Sequence, residues 1–70
     1  MLAQLRAFDA LHERTPGSFY RKSKGFLHFH VDGDDIWADV KLDGVAFDRH
    51  RVTTKAEQRA LVSAVRKVLA

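Results

Sequence analysis

The chain has 70 residues, with 12 Lys and Arg against nine Asp and Glu, so its formal net charge is +3 at pH 7. This length allows one domain, residues 1–70, which should bury only about 60% of the surface that the unfolded chain exposes. Cysteine is absent, which excludes disulfides and thiolate zinc sites and is the composition expected of a cytoplasmic protein. The mild positive charge permits an anionic partner without requiring one.

The N-terminal segment has apolar residues at helical spacing: Leu2, Leu5, Phe8 and Leu11. This periodicity predicts an amphipathic helix over residues 2–13. Its apolar runs are too interrupted for a signal peptide, and no stretch of the chain approaches the roughly 18 apolar residues of a membrane span. Pro16-Gly17 should end the helix, because the residue before a proline is disfavoured in the helical region.

The middle of the chain predicts three strands. Residues 18–25 form a basic segment that we interpret as a loop or irregular strand. Strands are then expected at three ranges: residues 26–31, 36–42 and 45–52. An acidic turn at residues 32–35 should join the first two strands. Asp43-Gly44 should join the last two, since this pair is typical of two-residue hairpins.

The C-terminal segment predicts a helix over residues 55–69. Thr54 and Glu57 have the spacing of a capping box, and the apolar residues that follow form one stripe. The predicted fold class is therefore α+β in two layers. It is a three-stranded antiparallel meander with the N- and C-terminal helices on one face, in the order α-β-β-β-α.

The strand register predicts a polar, open face on the sheet. A four-residue first turn pairs Leu27 with Val40 and collects the apolar residues on the side that the helices cover. The opposite side then carries these residues: Phe26, His28, His30, Trp37, Asp39 and Lys41. A two-residue second hairpin adds His50 to this open face, opposite Trp37. The same register points Arg49 and Arg51 toward the core, which a bulge or an early strand end would have to prevent.

Two groups of side chains could carry chemistry. His28, His30 and Asp39 could converge on zinc or nickel, because imidazole and carboxylate at alternating strand positions share one face. The alternative is a solvated sheet face with a simple His28–Asp39 cross-strand pair. Apart from this metal, no cofactor is predicted.

The second group lies in and before the basic segment: Arg14, Phe19, Tyr20, Arg21, Lys22 and Lys24. Basic side chains engage phosphates, and aromatic rings can stack on bases. The alternative is a solvated loop whose Phe19 or Tyr20 packs onto the core. No serine lies in a nucleophile motif, so no catalytic residue is predicted.

The order of elements resembles the double-stranded-RNA-binding domain. Residues 36–44 are similar to that family's second strand and turn, and the final helix, with Lys55, Ala60 and Ala64, is similar to its last helix. The resemblance implies RNA binding. The stretch from Arg21 to His28 is weakly similar to the Arg-x-x-Gly-Ser-His motif of small ribonuclease toxins of the HicA type. The serine is absent, so no catalytic role passes to His28.

These observations favour a small non-catalytic binding module that takes RNA or DNA through its basic loop. One alternative is a His/Asp metal-binding or ribonuclease-like domain that uses the open sheet face. Another is a protein-interaction or self-association module joined through Trp37 and Phe26. A membrane partner is not predicted.

Overall fold

A computed structural model describes all 70 residues of the chain. Its elements are, in chain order, α1 (Leu2–Arg6), β1 (His12–Thr15), β2 (Ser18–Arg21), β3 (Lys24–Asp32), β4 (Asp35–Val40), β5 (Asp48–Arg51) and α2 (Lys55–Leu69). The strands form one antiparallel sheet in the order β1-β2-β3-β4-β5. The α+β class is confirmed, but the meander has five strands rather than three. Neither helix has the length and apolar character needed to cross a membrane.

The N-terminal helix is much shorter than predicted, because residues 12–15 form a strand instead. Pro16 and Gly17 make the turn between β1 and β2, and Gly17 adopts the positive φ of +79° that such a turn favours. Glu13 fixes this hairpin by accepting a 2.8 Å hydrogen bond from Gly17 N. It also binds Arg6 Nε at 2.6 Å. A turn segment over residues 7–11, followed by extended pairing with β2 from His12 onward, therefore replaces the second half of the predicted helix.

The basic segment at residues 18–25, predicted as a loop or irregular strand, forms β2, a tight turn and the start of β3. Lys22 and Ser23 form its two-residue turn with φ values of 51° and 66°. A bulge follows, because Phe19 pairs with Leu27 whereas Tyr20 pairs with Gly25. Phe26 is the extra residue, and it is buried in the core. Its predicted place on the open face is therefore wrong.

The register between β3 and β4 is confirmed: Leu27 pairs with Val40, Phe29 with Ala38, and Val31 with Ile36. The first two pairs pack in or against the core. Val31, in the third pair, is 71% exposed. The apolar alternation of β3 and β4 therefore continues past the part of the sheet that is buried in the core.

The predicted Asp43-Gly44 hairpin is wrong, and a longer connection joins β4 to β5. Asp43 Oδ1 accepts hydrogen bonds from Val45 N at 2.8 Å and Ala46 N at 3.0 Å, which folds the connection on itself. The register consequently moves by one residue, so that Arg49 lies opposite Asp39. This shift removes the conflict in the prediction, because it turns the arginines of β5 to the open face.

Helix α2 has the predicted bounds and the predicted capping box. Its buried residues Leu61, Val62 and Val65 share one hydrophobic cluster with Leu5 of α1 and with the apolar face of the sheet. Both helices therefore contribute to the same core. The opposite sheet face is left without a covering element.

Candidate functional site

A cleft of about 290 Å³ opens at the end of the sheet where β2 turns into β3. Its lining residues are Arg21, Lys22, Lys24, Gly25, Phe26, Lys41 and Gly44. Four of the seven are basic and none is acidic. The hairpin turn supplies three of the cations, and the connection after β4 supplies Lys41. Two separate segments of the chain thus build one positively charged concavity.

The four basic side chains of this cleft have no carboxylate partner within 4.0 Å. The ion pairs that arginines form in this protein belong to residues elsewhere: Arg6 with Glu13, Arg49 with Asp39, and Arg51 with Asp35 and Glu57. The acidic residue nearest to the cleft along the chain, Asp43, is occupied by backbone amides. The hydrogen bonds from Val45 N and Ala46 N hold the pKa of the Asp43 carboxyl below its usual value.

The structure brings together only some of the residues predicted to bind nucleic acid. Arg21, Lys22 and Lys24 line the cleft. Arg14 does not line it, and its guanidinium carbon lies 4.4 Å from the centroid of the Tyr20 ring. Phe19 is only 1% exposed because it faces Leu27 in the core, so the alternative that this ring packs onto the core holds and Phe19 is not available for stacking on bases.

Lys41 is the member of the cleft that sequence reasoning missed. It follows the last residue of β4, and its backbone N–H donates to Phe26 O at 2.9 Å. Its ammonium group lies 4.9 Å from the centroid of the Phe47 ring. The bulge at Phe26 and the fold of the 41–47 connection bring it to the hairpin. Neither feature leaves a local sequence pattern.

The open face brings His28, His30 and Asp39 together, with one potential ligand atom from each within 4.8 Å of the others. His28 Nε2 lies 3.2 Å from Asp39 Oδ2, and His30 Nδ1 lies 3.7 Å from the same oxygen. The other carboxylate oxygen accepts a 3.3 Å hydrogen bond from Arg49 Nε. Asp39 therefore directs one oxygen to Arg49 and the other to the two imidazoles.

The remaining open-face predictions are met in part. Trp37 is half-buried and lies opposite His30 on one side and Arg51 on the other. His50 was predicted to face Trp37, but it lies opposite Ala38 on the core side because of the shifted register. Its Nε2 is shielded from solvent and has no hydrogen-bond partner within the protein. It cannot join the other two histidines.

At the far end of β3, one arginine bridges two carboxylates. Arg51 binds Asp35 Oδ1 at 2.9 Å and Glu57 Oε2 at 2.8 Å. Glu57 also accepts hydrogen bonds from the backbone N–H groups of Thr53 and Thr54. Hydrogen bonding to the Thr54 backbone and then to Arg51 holds the pKa of Glu57 below its usual value. This corner joins the sheet to the start of α2.

A second basic groove, of about 430 Å³, lies between α1 and α2. Its lining residues are Met1, Gln4, Lys55, Gln58, Arg59, Val62 and Arg66. Three of its residues are basic, and all three come from one exposed stripe of α2. The guanidinium carbon of Arg66 lies 5.8 Å from the centroid of the Phe8 ring, a longer contact than the one between Lys41 and Phe47 in the cleft.

Comparison of the chain with known protein families, with curated proteins and with solved structures gives no significant match.

Proposed function

We propose that the protein is a small nucleic-acid-binding module and that the cleft at the β2–β3 turn holds the phosphate backbone. One observation carries this proposal. Four cations from two chain segments line one concavity that contains no carboxylate, and none of them has an ion-pair partner. A concentration of unneutralised positive charge attracts polyanions and supplies most of their non-specific affinity.

The turn at the tip of the cleft supports this proposal. Two-residue hairpin turns with positive φ at both positions favour Asn-Gly, whereas here the positions hold Lys22 and Ser23. Holding non-glycine residues in this region costs about 1–2 kcal/mol each. Stability alone would therefore not select a lysine at this position. Non-glycine residues held in the left-handed backbone region occur at ligand-binding sites.

Tyr20 and Arg14 could extend the contact beyond the cleft. Tyr20 pairs with Gly25, which lines the cleft, so the two sites are adjacent along β2 and β3. The Arg14 guanidinium lies over the Tyr20 ring. Guanidinium planes and aromatic rings both stack on bases in single-stranded RNA and DNA.

The chemistry of the cleft predicts weak binding with little sequence preference. Four cations can neutralise about four phosphates, and phosphate contacts carry no base information. We expect dissociation constants in the micromolar range or weaker at physiological salt. Single strands should bind somewhat better than duplexes if the Arg14–Tyr20 pair stacks on a base.

Fluorescence anisotropy with labelled RNA and DNA oligonucleotides at about 50 mM salt tests the proposal. The informative variant is Lys22→Gln, Lys24→Gln, Lys41→Gln. Its matched control, Lys55→Gln, Arg59→Gln, Lys67→Gln, removes the same charge from α2. We expect the cleft variant to lose affinity by roughly tenfold per removed cation and the control to lose much less.

Two results would overturn the proposal. One is the absence of wild-type binding at low salt. The other is an equal or larger loss in the α2 variant, which would assign any binding to overall charge or to the groove between the helices. Circular dichroism establishes that both variants are folded before their affinities are compared.

A further inference from the structure

We propose that His28, His30 and Asp39 form a binding site for a divalent transition-metal ion, with Zn²⁺ the best fit. The site lies on the open face of the sheet, on side chains that the phosphate-binding cleft does not use. It supplies two imidazole nitrogens and one carboxylate oxygen and leaves a fourth position open to solvent.

Two of the three distances between the candidate ligand atoms lie near those around a tetrahedral ion, and the third, between the imidazole nitrogens, is at most 4.8 Å. Zinc bonds to nitrogen and oxygen of about 2.0–2.1 Å place tetrahedral ligand atoms about 3.3–3.4 Å apart. The two imidazole nitrogens lie 3.2 Å and 3.7 Å from Asp39 Oδ2. Rotation of the His28 and His30 side chains that brings their two nitrogens to about 3.4 Å from each other would therefore complete the site.

The backbone fixes the positions from which these side chains extend. His28 and His30 are two residues apart in β3 and share one face, and Asp39 lies directly opposite His28 in β4. Both strands have neighbours on each side in the sheet. The ladder hydrogen bonds thus hold the three Cα atoms in place before any ion arrives, which lowers the ordering cost of binding.

The groups around the cluster orient two of its members. Arg49 Nε holds Asp39 Oδ1 at 3.3 Å and leaves Oδ2 directed between the imidazoles. Phe47 packs its ring against His28 at a centroid distance of 5.4 Å. Outer contacts of this kind orient ligands in known metal sites. The Arg49 side chain is 62% exposed, so it can move outward and reduce its repulsion of the bound cation.

The donor set selects the class of ion. Two imidazoles and one carboxylate suit zinc, nickel, cobalt and iron, whereas calcium and magnesium prefer oxygen ligands alone. A simple cross-strand ion pair would need only one histidine. Here both imidazoles approach the same carboxylate oxygen, and the contact from His30, at 3.7 Å, is too long for a hydrogen bond.

The single tryptophan provides a reporter, because Trp37 lies opposite His30 across the β3–β4 ladder. We expect Co²⁺ to quench Trp37 fluorescence with a stoichiometry of one ion per chain. Added Zn²⁺ should displace the Co²⁺ and restore the fluorescence. Isothermal titration with Zn²⁺ measures the affinity independently of the fluorophore.

Variants of the histidines distinguish this site from adventitious binding. His28→Ala and Asp39→Asn should each lower Zn²⁺ affinity by at least about 100-fold, more than the loss of an outer-shell partner usually costs. His12→Ala, a matched control on the exposed edge strand β1, should bind Zn²⁺ as tightly as the wild type. Absence of wild-type binding at micromolar metal would overturn the inference. Equal losses in His12→Ala and His28→Ala would do so as well.

Discussion

Near the first residue of β3, Lys24, four basic side chains line a cleft that contains no carboxylate. Near the last, Asp32, the basic group Arg51 is held by two carboxylates, Asp35 and Glu57. Arg51, Asp35 and Glu57 connect the sheet to α2 and are paired with one another, although the turn residues Asp32 and Asp34 form no ion pair. The cations at the first end have no carboxylate partner. The comparison separates charge that holds the sheet to α2 from charge that has no partner inside the protein.

The largest expected change in stability comes from a substitution in the hydrophobic core that lies between the two ends of β3. Leu61 is buried in the cluster that α2 forms with the sheet. Leu61→Ala should lower the free energy of unfolding by about 2–5 kcal/mol, much of the stability of a domain this small. Urea denaturation followed by circular dichroism measures the change. If the variant were as stable as the wild type, Leu61 would not pack in a core shared by α2 and the sheet, and this account of the fold would be wrong.

A smaller loss of stability should follow from a substitution at the end where Arg51 is paired. The Thr54 hydroxyl accepts a hydrogen bond from Glu57 N at the start of α2. Thr54→Ala should cost about 1 kcal/mol because it removes this N-cap. Oligonucleotide affinity should stay at the wild-type value under conditions where the variant is folded. A loss of affinity in the folded variant would contradict the separation of the two ends.

At the basic end, stability and binding should respond in opposite directions. Ser23→Gly relieves a left-handed residue and should stabilise the protein by up to about 1 kcal/mol without changing its charge. Adding Lys22→Asn creates the preferred Asn-Gly turn and also removes one cation. We expect both variants to be at least as stable as the wild type, and only the second to bind oligonucleotides less tightly. Equal affinity in the two variants would show that Lys22 makes no contact with nucleic acid.

The smallest effect concerns pH and the paired carboxylates. Hydrogen bonds from Arg6 and Gly17 hold the pKa of Glu13 below its usual value. Those from the Thr54 backbone and Arg51 do the same for the pKa of Glu57. Lowered folded-state pKa values mean that the unfolded chain binds more protons as pH falls. This contribution to stability is therefore complete above the ordinary glutamate pKa of about 4.3 and is lost as pH falls below it.

Urea denaturation at a series of pH values checks this contribution. Glu57→Gln should be less stable than the wild type near neutral pH, and its stability should decrease less on acidification. Because both carboxylates are solvent-exposed pairs, the difference should be small. Identical pH profiles for the two proteins would indicate that Glu57 contributes nothing through its charge.

The regions that could be predicted from the sequence are those with local patterns. The alternation in β3 and β4 determined their register, and the Thr54–Glu57 spacing determined the start of α2. The β1–β2 hairpin could not be predicted because the apolar periodicity ends at Leu11, and the four residues of β1 are all polar and show no alternating pattern. Its turn, Pro16-Gly17, is equally typical of a helix stop.

The β4–β5 connection could not be predicted, because its path depends on a side chain that bonds to backbone amides. Asp43 binds the amides of Val45 and Ala46 and so converts an expected two-residue hairpin into a longer connection. The register shift that follows sends His50 inward and Arg49 outward. The place of Lys41 in the cleft depends on this same connection. It could not be deduced from residues near the hairpin turn.

The salt dependence of binding by Lys41→Gln tests the central claim most directly, because Lys41 reaches the cleft from a different chain segment than the other cations. Counterion release predicts a log–log slope of about −3.6 for the wild type on duplex nucleic acid, with about 0.9 for each of four phosphates neutralised. Lys41→Gln should reduce the magnitude of the slope by about 0.9, to near −2.7. A slope that Lys41→Gln leaves unchanged would contradict the assignment of this cleft as the phosphate-binding site.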